Sequence, residues 1–121
     1  MYYNRLCGKI INMKYKNTLQ KGNVRCIIFR EGNAWYGAGL EFNIVEQGDT
    51  PRETMLLLFE AIDGYLESAR KIKARPYILN QKPDHEYEEM WGNLEKNKKI
   101  PAKEVFFFGN LNIAKSAFVP A

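Results

Sequence analysis

Few residues in this chain are suited to acid–base, metal or nucleophilic chemistry, and they do not converge along the sequence. The one histidine, His85, sits between Asp84 and Glu86 at the expected start of a helix and reads as an exposed, incidental residue. A single His without a cysteine cluster is a poor basis for a zinc site, which takes four N or S ligands. The two cysteines, Cys7 and Cys26, have neither CxxC spacing nor a second pair and read as thiols kept reduced in a cytoplasm. Cys26 falls inside a strand pattern and is expected to be a small core residue. Glu41, Glu46 and Asp49 lie near strand ends, but their spacing is not that of a carboxylate pair or a two-metal site. Neither a G-x-x-x-x-G-K-S/T loop nor a G-x-G-x-x-G turn occurs, and Gly37-Ala38-Gly39 lies within a strand pattern with no helix directly after it. The residues therefore predict no enzyme, no metal and no cofactor, and a protein that works by contact.

The elements expected to present such contacts are organised around Thr50-Pro51-Arg52-Glu53. Thr50 suits the N-cap, Pro51 the first helical position, and Glu53 stands three residues after the cap, a capping box. The helix is expected to run to about Arg75, because Pro76 disfavours helical geometry before it. Met55, Leu58, Phe59, Ile62, Tyr65 or Leu66, Ala69 and Ile72 form one apolar stripe along it. Upstream, Val24–Arg30, Ala34–Phe42 and a strand from Asn43 or Ile44 to Gln47 predict an antiparallel meander for the stripe to cover. Gly37 and Gly39 share one strand face, which predicts a close approach there, with the sheet's own helix as the first candidate. Beyond Pro76 a connector leads to Asp84 as N-cap of a second helix, with Tyr87, Met90, Trp91 and Leu94 at helical spacing to about Asn97. Lys103–Phe108 reads as a fourth strand ended by Gly109-Asn110. The fold class is thus α+β: a three-stranded antiparallel sheet packed by a long helix, then a second helix and a fourth strand.

The chain has 121 residues, 45% of them hydrophobic and 26% charged, which suits one globular domain. Its expected limits are an N-terminal extension over residues 1–23, partly disordered, the domain over 24–109, and an extended or mobile tail over 110–121. Met13 offers a second start, so the native product is expected to begin there. The longest apolar run, Met55–Phe59, is far short of the roughly 20 residues of a membrane span, and no apolar segment follows Arg5 and Lys9 as in a secretory leader. No membrane partner and a cytoplasmic location are expected. The net charge is +4. Arg70, Lys71, Lys73 and Arg75 crowd the end of the long helix, where cations complement its dipole. With Lys96, Lys98 and Lys99 they would form the surface of an alternative, basic nucleic-acid-binding module.

The run from Trp35 to Glu53 (WYGAGLEFNIVEQGDTPRE), followed by an amphipathic helix reaching Tyr65-Leu66-Glu67, resembles HicB-type antitoxins. In that family a hairpin leads to a third strand, a Q-G-D-T-like turn and a helix closing in a Y-L-E-like sequence. The resemblance covers roughly residues 24–70, and the helix and strand proposed for 84–108 match the family's continuation. It implies a truncated ribonuclease-H-like domain, β-β-β-α-α-β, that binds and blocks a small HicA-type, RNA-cleaving toxin. Family members usually add a C-terminal DNA-binding segment. Thirteen residues follow Phe108 here, too few for a helix-turn-helix, so operator binding by this chain alone is not expected. Glu41-Phe42-Asn43 replaces the family's Pro- and Cys-containing turn. An orphan HicB-like domain, or a structural homo-oligomer without a toxin, is the other expectation. Trp35, Tyr36, Glu41 and Phe42 are the expected toxin contacts, since aromatics and a placed charge anchor interfaces. Val105, Phe106, Phe107 and Phe108 are the expected oligomer contact, unless their strand simply completes the sheet.

Overall fold

A strand that is apolar at consecutive positions must be covered on both faces, and Cys26 to Phe29 is such a run. The structure, a computed structural model, describes residues 15–121. In it β1 (Asn23–Glu31) is the middle strand of a five-stranded antiparallel sheet. On one side lie β2 (Ala34–Gly39) and β3 (Ile44–Gly48); on the other lie β4 (Glu104–Asn112) and β5 (Ala117–Pro120). The order across the sheet is β3-β2-β1-β4-β5. One face carries α1 (Pro51–Lys71) and the other α2 (His85–Glu95). Val24, Cys26 and Ile28 pack with Leu58, Ile62 and Leu66 of α1. Ile27 and Phe29 point oppositely, to Met90 and Trp91 of α2. Alternation along one strand thus makes two cores, in which each buried Leu, Ile or Phe contributes about 1.5–3 kcal/mol.

α1 begins at the expected cap. Thr50 Oγ1 accepts the Glu53 N–H at 3.1 Å, and Glu53 Oε1 accepts the Asp49 N–H at 2.8 Å, one residue earlier than an ideal box. Gly37 and Gly39 mark where the helix comes close. A Cβ at 37 would lie 3.3 Å from Leu58 Cβ, and one at 39 would lie 3.1 Å from Ile62 Cδ1. α1 stops at Lys71, short of Arg75. Lys73 turns left-handed at φ 51, and the Ala74 N–H closes back on the Ala69 carbonyl at 2.9 Å. Ile72 therefore leaves the apolar stripe and is 74% exposed. The early stop lets the chain return as a 3-10 turn (Pro76–Leu79) that buries Leu79 and gives the Ile78 carbonyl to the Tyr65 hydroxyl at 2.9 Å.

The sheet has five strands, not three with a separate fourth, and the tail is part of it. Gly109-Asn110 does not end β4: Asn110 pairs with Arg25 on one side and Val119 on the other. Gly109 is required there because a Cβ would overlap the Val119 carbonyl oxygen of the adjacent β5. A bulge opposite Ile28 and Phe29 leaves Phe106 out of register. Phe107 then faces the α1 core, while Val105 and Phe108 face the α2 core. Part of the expected N-terminal extension is also tied down. Asn17 is buried, accepts the Asn23 N–H at 2.8 Å and donates to the Leu79 carbonyl at 2.9 Å. Cys7 and the Met13 start lie outside the described residues.

Replacing Gly109 by Val should detach β5 without unfolding the sheet. Hydrogen exchange at Ala117, Val119 and Ala121 should accelerate more than tenfold while β1 amides stay protected. Unchanged protection of β5 would contradict the close approach at Gly109.

Candidate interaction surface

The expected toxin contacts are dispersed by strand alternation. Trp35 is half-buried on the α1 face, with its ring edge-on to Phe106 at 6.2 Å and beneath the Arg30 guanidinium. Tyr36 faces α2 and stacks on Phe29 at 5.6 Å. Glu41 is on a 3-10 turn (Leu40–Phe42) and is engaged by Arg25. Phe42 is buried at 3% exposure with its ring 4.8 Å from that of Tyr65, so it is a core residue. The four form no common surface.

The expected oligomer contact is likewise divided. Phe107 meets Phe118 at 5.6 Å and Phe108 meets Trp91 at 5.5 Å, both within the chain. β4 is paired on both sides, so its apolar side chains need no second subunit for cover. Phe106 alone is largely exposed, at 48%. Arg70, Lys71, Lys73 and Arg75 do stay together, all exposed, where α1 ends.

A surface not expected from the sequence lies beside α1. Met55, Leu56 and Phe59 on the helix and Ala117 and Phe118 on β5 line an open groove of about 400 Å³, with Arg52 and Ser116 at its rim. Leu56 is 56% exposed in this lining. The sequence did carry a sign of it, because five apolar residues in a row, Met55–Phe59, are more than a single stripe requires. Strand addition at β5 is limited. The Ala121 N–H donates to the Phe108 carbonyl, which turns the alternate N–H groups of Val119 and Ala117 inward as well. Pro120 has no N–H, so Phe118 holds the outward donor of this edge. A partner would be held by side chains in the groove.

On the opposite face one ion cluster fixes α2. Arg25 Nε reaches Glu41 Oε2 at 2.5 Å and Nη1 reaches Glu88 Oε1 at 2.5 Å, with the guanidinium 5.8 Å from the centre of the Trp91 ring. The Glu88 bond holds Arg25 firmly charged, and the same bond lowers the Glu88 carboxyl below its usual range. Burial pushes the Cys26 thiol well above its ordinary value, which leaves it un-ionised and poor as a nucleophile. Among the described residues no three His, Cys, Asp or Glu side chains gather as metal ligands, and no helix is long and apolar enough to cross a membrane. Comparison with known proteins gives no match to any family model, curated protein or solved structure.

Arg25→Met should cost about 1–3 kcal/mol in urea unfolding, because it strands the Glu41 carboxylate, only 18% exposed, without its cation. Glu88 has a lowered folded pKa, so its contribution is complete above about 4.3 and is lost as pH falls through the folded value. Glu88→Gln should therefore flatten the acid limb of the stability curve. An acid limb equal to the unmodified protein's would contradict this role.

Proposed function

We propose that this chain acts by protein–protein binding, as a HicB-like antitoxin or orphan HicB-like domain that neutralises a small HicA-type, RNA-cleaving toxin in the cytoplasm. The truncated ribonuclease-H-like arrangement belongs to this reading. Its sequence support is the run from Trp35 to Glu53, with a hairpin, a third strand and a capped helix in the family's order. The observation that carries the binding mode is the apolar groove between α1 and β5, with Leu56 exposed in its lining. An apolar groove rimmed by polar residues is a surface that a partner's apolar side chains can fill. The groove replaces the dispersed set of Trp35, Tyr36, Glu41 and Phe42 as the contact. A homo-oligomer without a toxin is the alternative occupant of the same groove.

The test is co-expression and co-purification with a small basic HicA-type protein. Leu56→Asp should weaken capture at least tenfold, about the 1.4 kcal/mol of a moderate hot spot, with the circular dichroism unchanged. Undiminished capture by the folded variant would remove the groove from the interface. A shift from dimer to monomer without any partner would favour the homo-oligomer.

A further inference from the structure

We propose that the end of the molecule where α1 terminates binds single-stranded nucleic acid, a property separate from the protein contact at the groove. Three segments meet there. Arg70 Nε donates to the Leu19 carbonyl at 3.0 Å, Asn80 Nδ2 to the Asn17 carbonyl at 2.9 Å, and the Ile113 N–H to the Gly22 carbonyl at 2.9 Å. Between Glu67 and Asp84 the chain has no acidic residue but carries Arg70, Lys71, Lys73, Arg75 and Lys82. Residues 15–22 add Lys16 and Lys21 without an acid, and the β4–β5 turn adds Lys115. None of these cations is in an ion pair among the described residues. The bordering acids are Glu67, one turn before Arg70 and Lys71, Asp84 just past Lys82, and Glu41 and Glu95 towards the α2 face, where Arg25 binds Glu41.

Complementing the helix dipole accounts for Arg70 and Lys71 in the last turn, but not for cations beyond it. Lys73 sits at φ 51, in the cap position where glycine is least strained, so the chain keeps a charge there against its backbone preference. Tyr77 is 58% and Tyr15 is 48% exposed among these cations. Exposed rings interleaved with unpaired cations fit unstacked bases on a phosphate chain. The surface consists of turns and a helix C-terminus, with no free helix or ribbon to enter a duplex groove, so a single strand is the partner.

The full chain should bind labelled oligo-uridine and oligo-thymidine, measured by fluorescence anisotropy, and lose affinity by more than about tenfold between 50 and 200 mM salt. Arg75→Glu should weaken binding at least fivefold. Arg52→Glu, the same charge change about 30 Å away at the other end of α1, should leave it within twofold. Tyr77→Ala should weaken single-strand binding several-fold without changing the salt slope. No binding in dilute salt, equal losses from Arg75→Glu and Arg52→Glu, preference for duplex, or binding to phosphatidylserine vesicles alone would each overturn the proposal. Toxin capture measured on the same variants separates it from the groove, since Arg75→Glu should leave capture intact.

Discussion

The closeness of α1 to β2 is the constraint on which the rest of the structure depends. Two side chains are missing from one face of that strand, at Gly37 and Gly39, and Leu58 and Ile62 occupy the space. A full side chain at either position would force the helix away from the sheet and open the core, at a typical overpacking cost of about 1–3 kcal/mol. This placement commits α1 to β3, β2 and β1. On the far side of the sheet, β5 meets only the edge of α1, where Phe59 contacts Phe118 and Phe118 contacts Phe107 of β4. The groove follows from where the helix is allowed to lie.

The second face obeys a different rule. α2 meets the sheet through long side chains, Tyr87, Met90, Trp91 and Leu94, packed on Ile27, Phe29, Val105 and Phe108. Arg25 reaches across that layer to Glu88 and stays anchored to Glu41 on the turn after β2. One cation thus fixes the rotation of α2 and the position of the Leu40–Phe42 turn together. Glu41, whose type suggested an interface anchor, is consumed by this internal duty. Interfacial and structural ion pairs use the same residue types, so the sequence alone does not separate them.

What could be read in advance follows the range of the interactions involved. The start of α1 was legible because Thr50, Pro51 and Glu53 act within a single turn. The faces of β1 were legible because alternation is local. The end of α1 was not, since it is set by Leu79 and Tyr65, which draw residues 76–79 back across the fold. β5 escaped sequence reading because its four residues carry little pattern of their own and depend on Gly109, expected to end β4, lying inside it at a close approach of β5. The bulge at Phe106 hid how four apolar residues in succession are shared between two cores. The groove was obscured for a related reason: it joins a helix to a strand about sixty residues further along the chain.

In the proposed function, the working surface of a contact protein lies between the first half of α1 and β5. The most direct measurement is hydrogen exchange by mass spectrometry on the chain isolated in its native complex and on the chain alone. Slowed exchange confined to residues 52–59 and 116–120 in the complex is the predicted result. A complex in which those segments exchange as they do in the free chain, with protection elsewhere, would contradict it.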